Sequence, residues 1–227
     1  SLYALFFNLS RILPVKQNRI AFIAPHNGGE NDSLGLVRAY AESKGIYDIV
    51  TISTRDLRLD FSGIKALVIS CLRALRFFTL KATALATSKY VFLNDNFMPM
   101  ASLKFSTETV ITQLWHAEGA FKKFGLDIEQ PADIRARETA ANKKLSFVTC
   151  SSTGVADIYA SAFGVDKSKV LPIGSLRADV LLRADNAAGL RREFEEKYPQ
   201  CRGKKIVLYA PTFRDDPSLD AKFLSYF

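Results

Sequence analysis

Val110-Ile111-Thr112-Gln113-Leu114-Trp115-His116 begins as a run of β-branched and apolar residues and ends on one of the two histidines in a chain of 227 residues. Such a run reads as a buried strand that releases His116 at its carboxyl edge. The turn Ala117-Glu118-Gly119-Ala120-Phe121 and the pair Lys122-Lys123 follow, before Phe124 and Gly125. Open α/β sheets bind ligands at the carboxyl ends of their strands. The stretch therefore has two readings: a histidine capping a strand inside a packed loop, or a base at a ligand site.

Outward from this stretch the pattern repeats. Strands are expected at 19–25, 48–53, 66–70, 90–95, 110–115, 146–152 and 170–175, alternating with apolar-periodic helices. One helix is expected from the leucines after residue 70 through Phe77 and Phe78 to Ala86, one over 131–144, and one over 153–163 closed by Gly164. The alternation predicts an α/β protein with a Rossmann-like, doubly wound parallel sheet. Residues 185–189 break the pattern, an exposed helix is expected over 190–198, and Lys204 to Ala210 reads as the first strand of another α/β domain. The expected organisation is an N-terminal amphipathic helix at 1–18, a Rossmann-like domain at 19–185, a linker helix at 186–203, and the start of a second, truncated domain at 204–227.

At 48% hydrophobic and 24% charged residues, the chain can bury one good core, or one domain and part of another, which excludes the disordered and fibrous classes. A net charge of +8 and a pI near 9.4 favour anionic partners. The basic residues are dispersed in short pairs and are not interleaved with aromatics on a recognisable module, so nucleic acid is not an expected partner. Three widely spaced cysteines suggest neither a disulfide framework nor a thiolate metal site, and fit a reducing compartment. No carboxylate cluster has metal-ligand spacing, and no metal is expected.

Leu2, Leu5, Phe6, Leu9, Ile12 and Leu13 recur at helical spacing, widened by Tyr3 and Phe7 and followed by Arg11, Lys16 and Arg19. This helix is too short for a bilayer span of about 20 apolar residues. It either docks on the domain's own core or lies on a membrane surface with its basic residues near lipid headgroups. The loop His26-Asn27-Gly28-Gly29-Glu30-Asn31-Asp32-Ser33 admits a phosphate cradle or a plain turn with Asp32 or Ser33 as N-cap. No chemistry is assigned to His26. Asn94-Asp95-Asn96 reads as turn chemistry. Ser151 and Ser152 open a helix, as an N-cap or as a phosphate site.

Several blocks agree in order and spacing with one family. Trp115-His116 with Gly119, Lys122-Lys123 and Gly125; Ser151-Ser152; Ala162-Phe163-Gly164; Gly174 with Arg177, Asp179 and Leu181; and Lys204-Lys205-Ile206-Val207-Leu208-Tyr209-Ala210-Pro211-Thr212-Phe213-Arg214-Asp215-Asp216 carry the match. The chain resembles the CDP-glycerol glycerophosphotransferase family, the bacterial enzymes that prime and polymerise wall teichoic acid. Two blocks depart from the commonest family form. The turn after His116 lacks the usual Gly-Thr-Pro and places Glu118 beside the histidine, and Gly174-Ser175-Leu176-Arg177 stands where many members have Gly-Tyr-Pro-Arg.

The resemblance implies the N-terminal half of a GT-B architecture and transfer of glycerol phosphate or ribitol phosphate from a CDP-activated donor to a membrane-linked acceptor, releasing CMP. His116 would be the general base, since imidazole changes charge near neutral pH. Lys122, Lys123, Ser151, Ser152, Arg177, Thr212 and Arg214 would bind substrate, the cations offsetting phosphate charge. Beyond the donor substrate, CDP-glycerol or CDP-ribitol, no cofactor is implied. The expected partners are the lipid-linked polymer acceptor and, through residues 1–19, a membrane surface at the cytoplasmic face of the bacterial cell. The fragment alone is expected to be inactive, because half of the cleft would lie beyond Phe227. Two alternatives share the sequence features: a GT-B glycosyltransferase using a nucleotide sugar, and a non-catalytic module that binds polyanions or membrane surfaces.

Overall fold

A computed structural model describes residues 2–24, 32–117, 119–182 and 187–208. The chain divides into two compact units, Ser1–Leu182 and Arg183–Phe227.

The first unit opens with helix α1 (Leu2–Ser10) and then alternates: β1 (Lys16–Ala24), α2 (Ser33–Ser43), β2 (Asp48–Ser53), α3 (Ile64–Arg76), α4 (Ala82–Ala86), β3 (Ser88–Leu93), β4 (Val110–Gln113), α5 (Ala132–Asn142), β5 (Phe147–Cys150), α6 (Ala156–Phe163), β6 (Val170–Pro172) and α7 (Leu176–Leu182). The six strands form one sheet in the order β2-β1-β3-β4-β5-β6, and every pair is parallel. β1 therefore has the first connection leaving on one side of it and the second crossing back to the other. The crevice at the carboxyl ends of β1 and β3 is the topological switch point of the sheet.

Right-handed crossovers assign the helices to faces. The connections that step from β2 to β6 all move in one direction, and α4, α5 and α6 pack with α1 into the larger core around Ile23, Val91, Ile111 and Val148. Only α2 belongs to the opposite direction. It covers a smaller cluster of Ile20, Phe22, Ala24, Leu34 and Ala41, where Phe22 stacks on Phe92 with centroids 5.6 Å apart. On that face Thr112, Thr149 and Leu171 are half-buried, whereas Ile111, Val148 and Val170 on the other face are buried.

One sequence expectation fails, and one of the two readings of the N-terminal helix, docking on the domain's own core, describes its aromatic side. Residues 66–70 are not a strand but the middle of α3, which continues through a single π turn (Phe77–Lys81) into α4. Ala66-Leu67-Val68-Ile69 is β-like taken alone, but Ile64, Val68, Leu72 and Leu75 recur at intervals of four, four and three, which is helical. In α1 the buried residues are Tyr3, Ala4 and Phe7, while Leu2, Leu5 and Leu9 are exposed. The aromatic side docks because rings fill the space between elements: Tyr3 lies 5.0 Å from Phe77 and 6.0 Å from Phe97, and Phe7 lies 4.8 Å from Phe105. The leucine side faces outward.

Smaller differences concern ends. β4 stops at Gln113, β5 covers 147–150 and β6 only 170–172, each shorter than expected because their last residues turn into loops at the carboxyl edge. Gly164 closes α6 in the left-handed conformation, φ 60°. Gly125 has φ 56°, and a Cβ there would sit 2.3 Å from the carbonyl oxygen of Ala162. That approach packs the loop after His116 against the end of α6.

The second unit contains α8 (Ala187–Lys197), in which Arg191 Nε pairs with Glu195 Oε1 at 2.6 Å and Arg191 Nη2 donates to the carbonyl of Lys204 at 2.8 Å. Lys204 to Leu208 carries no strand where one was expected, and the rest of that block, Thr212 and Arg214 included, lies outside the described residues.

Burial pushes the Tyr3 phenol well above its ordinary value, and its hydroxyl has no hydrogen-bond partner among the described residues. Tyr3→Phe is expected to raise stability by about 1 kcal/mol, read as a higher urea midpoint at unchanged slope. Gly125→Ala is expected to cost about 2 kcal/mol or more in the same assay, since both the positive φ and the Ala162 carbonyl oppose a Cβ.

Candidate functional site

The site forms where β3 and β4 end. The β4 ladder runs one residue past the strand, with Leu114 N–H donating to the Leu93 carbonyl at 2.7 Å. The backbone then reverses. Trp115 has φ 57°, the only positive φ of a non-glycine residue among those described, and for a bulky side chain this conformation is strained by about 1–3 kcal/mol.

Two interactions hold the reversal. The Trp115 N–H donates to Gln113 Oε1 at 2.9 Å. The indole, 7% exposed, packs 5.3 Å from Phe124 in a stacked geometry and 5.2 Å from Phe163 edge-on. The buried Gln113 also reaches across, its Nε2 donating to the Asp95 carbonyl at 3.3 Å.

The reversal throws the His116 ring back toward β3. Its Nδ1 lies 2.9 Å from the carbonyl oxygen of Asn94. A carbonyl only accepts, so Nδ1 carries a proton, and in the neutral form of the ring Nε2 keeps its lone pair. The imidazole centroid is 4.0 Å from the indole, and the residue is solvent-exposed. His116 is thus an imidazole oriented by one ring nitrogen at a strand end and exposed to solvent.

Neighbouring elements pin the same loop. Arg177 Nη1, on α7, donates to the His116 carbonyl at 3.1 Å, and the Tyr159 hydroxyl, on α6, donates to the Ala117 carbonyl at 2.7 Å. Asn94 is in turn tied to the start of α2: its Nδ2 donates to Asp32 Oδ2 at 3.3 Å, while Asp32 Oδ1 caps the helix by accepting from the Gly35 N–H at 2.8 Å. Asp32 is therefore the N-cap, as one sequence reading had it. His26, Gly28, Gly29 and Glu118 lie outside the described residues.

Beside His116, on the sparsely covered face, is a cavity of about 440 Å³. Trp115 and Ala117 line it, with Phe92, Leu114 and Leu171 as an apolar floor and the hydroxyl residues Ser33, Thr112, Thr149, Ser151 and Ser175 around it. Asp179 is the one charged residue among those lining it. Burial pushes the Cys150 thiol up, which disfavours a thiolate nucleophile in the same wall.

The structure therefore brings His116, Arg177 and Ser151 to one edge of the sheet. Ser152 occupies the N-cap position of the 3-10 turn Thr153–Val155, but its side chain makes no capping hydrogen bond. Lys122 and Lys123 are exposed and form no ion pair among the described residues. Basic residues instead gather at the amino ends of the strands, where Arg11, Lys104, Lys143, Lys144 and Lys169 line an open cleft of about 490 Å³. The partner of His116 is a backbone carbonyl, which carries no signature in a sequence. Gln113 gave a weak signal, a polar residue in a run otherwise fit for burial.

The chain is 28% identical over 223 residues to the teichoic acid poly(ribitol-phosphate) polymerase of Bacillus spizizenii, covering 98% of this chain and 34% of that protein. It is 34% identical over 134 residues to the teichoic acid ribitol-phosphate primase of the same organism, covering 57% of the chain and 34% of the relative. It is 32% identical over 142 residues to the teichoic acid glycerol-phosphate primase of Bacillus subtilis, 60% of the chain and 35% of the relative. The chain thus spans about a third of the length of these relatives. Among solved structures, the wall teichoic acid polymerase TagF superposes with a TM-score of 0.71 at 19% identity in a form soaked with CDPG, over 94% of this chain and 51% of that one. At that identity the likeness shows the fold, a Rossmann-like half of GT-B type. Residues 5–226 match the family described as CDP-Glycerol:Poly(glycerophosphate) glycerophosphotransferase, and the chain belongs to that family of teichoic acid polyol-phosphate transferases.

Proposed function

We propose that the whole protein transfers glycerol phosphate or ribitol phosphate from a CDP-activated donor to a hydroxyl on a lipid-linked acceptor, releasing CMP, with His116 as the general base. The observation that carries this reading is the His116 ring, held by its Nδ1 on the Asn94 carbonyl with Nε2 bare at the sheet's carboxyl edge. Nε2 would take the proton of the acceptor hydroxyl as that oxygen attacks the donor's β-phosphorus, and CMP would leave with the electron pair of the broken phosphoanhydride bond. The hydroxyl-rimmed cavity, with Asp179 rather than a cation among its lining residues, favours the uncharged polyol end of the acceptor over a phosphate. The donor phosphates would then fall to Arg177 and to the proposed contacts Lys122, Lys123, Ser152, Thr212 and Arg214.

A membrane-linked acceptor calls for a surface that lies on lipid, and the exposed apolar stripes of two elements support that part of the reading. On α3, Ile64, Val68, Leu72 and Leu75 are 84%, 52%, 56% and 59% exposed along one stripe, flanked by Lys65, Arg73 and Arg76. Leu2, Leu5 and Leu9 of α1 are more than half exposed, and α1 abuts the π turn that follows α3 through Tyr3 and Phe78. Apolar stripes beside cations suit the interface of an anionic leaflet. No described helix is long and apolar enough to cross a membrane.

Turnover tests the first part. Given CDP-glycerol, CDP-ribitol or UDP-sugars with a lipid-linked acceptor, the complete protein is expected to release CMP from a CDP-polyol and no UDP, and His116→Ala is expected to lower the rate by about 10²-fold or more. UDP release would favour the glycosyltransferase reading, and an unimpaired His116→Ala variant would remove the base. Sedimentation with phosphatidylglycerol vesicles tests the second part. The paired changes Val68→Asp with Leu72→Asp, and Leu5→Asp with Leu9→Asp, are each expected to weaken binding at least tenfold while leaving the fold intact, because all four side chains are exposed.

A further inference from the structure

We infer that Gln113 is a positioning residue that fixes the tautomer and aim of the His116 ring, by tying the loop that carries the imidazole to the loop that carries its acceptor. The inference rests on the proposed role of His116 only for its catalytic consequence.

The His116–Asn94 contact spans the ends of two strands, and those ends leave the sheet in different ways. The backbone ladder between them stops with the bond from Leu114 to Leu93. Beyond it, the Gln113 carboxamide takes over, accepting from the Trp115 N–H on one loop and donating to the Asp95 carbonyl on the other. Trp115 precedes His116, and Asp95 follows Asn94, so the two anchors are each one residue from the two ends of the Nδ1–carbonyl contact. At 1% exposure the carboxamide has no competition from solvent.

The chemistry of the side chain suits the task. One planar group must offer an acceptor in one direction and a donor in the other, which a carboxamide does and neither a carboxylate nor an aliphatic chain does. Without the acceptor, the Trp115 N–H is left unpaired in a buried place, and the strained φ of 57° loses one of its two restraints. The cheapest relaxation returns Trp115 to an extended conformation and carries the His116 ring off the Asn94 carbonyl. A neutral imidazole without a partner at Nδ1 favours the form protonated at Nε2, the nitrogen the base needs bare.

The chain of 227 residues carries two histidines, His26 and His116, so in that chain the ring nitrogens can be read directly. With ¹⁵N-labelled imidazoles, long-range ¹H–¹⁵N correlation at about pH 8.5, where imidazole is neutral, is expected to show His116 in the Nδ1–H form. Gln113→Leu is expected to shift the tautomer ratio toward Nε2–H by roughly tenfold, the worth of one lost hydrogen bond. Ile111→Val, a truncation of a buried side chain two residues earlier in the same strand, is expected to leave the ratio unchanged. Should Gln113→Leu fail to fold, Gln113→Asn, which withdraws the carboxamide by one methylene, is expected to shift the ratio in the same direction. Retention of the Nδ1–H form in whichever Gln113 variant folds, or an equal shift in Ile111→Val, overturns the inference. In the complete protein, Gln113→Leu is expected to lower kcat while leaving KM for the CDP donor unchanged. An unimpaired His116→Ala variant would sink the base assignment and leave the tautomer result standing, so the two ideas fail separately.

Discussion

The handedness of parallel crossovers is the constraint from which the rest follows. A right-twisted strand followed by a helix returns to the sheet on one side only, so the direction in which the chain steps decides which face each helix covers. Four of the five steps between consecutive strands run the same way or cross back to do so, and α4, α5 and α6, which lie in three of those connections, share one face with α1. The other face receives α2 and, after the last strand, α7. That uneven cover leaves the half-buried Thr112, Thr149 and Leu171 as the lining of a cavity, directly beside the strand end that presents His116. The location of the cavity is thus a consequence of strand order and not of any local motif.

Within that frame, the site depends on a trade between strain and packing. A left-handed tryptophan is costly, and it persists because Phe124, Phe163 and Gln113 over-determine it. Gly125 belongs to the same device. Its approach to the Ala162 carbonyl lets the loop after His116 return against α6 and deliver Phe124 onto the indole. Glycine and aromatic residues that look like separate motif positions along the chain are one packed object in space.

Much of this was legible in the sequence, and the exceptions have physical causes. Alternation of β-branched runs with helical stripes located β1, β2, β3, β4 and β5 to within a few residues. Residues 66–70 misled because four apolar residues in a row satisfy either period, and only the wider spacing of Ile64, Val68, Leu72 and Leu75 decides. α1 was left with two readings for a different reason: its two faces are both apolar, and shape complementarity of rings, invisible to a hydrophobic pattern, selected Tyr3 and Phe7 for the core. His116 was conspicuous by residue type and position. Its acceptor on Asn94 was not, because backbone carbonyls have no letter of their own. Lys122 and Lys123 stood out by charge, yet both side chains are exposed, and the densest cationic cleft, at Lys143, Lys144 and Lys169, is at the opposite edge of the sheet.

The stack of indole on imidazole has an optical side. Trp115 is the chain's single tryptophan, and its ring centre is 4.0 Å from that of His116. All indole emission from these 227 residues therefore originates in contact with this one imidazole. A protonated imidazole quenches an adjacent indole far more strongly than a neutral one. The protein thus carries an intrinsic fluorophore whose brightness reports the charge of His116, and whose spectrum reports what enters the cavity that Trp115 helps to line. No label is required, and excitation at the red edge of the indole band, where the eight tyrosines do not absorb, isolates the signal within these 227 residues.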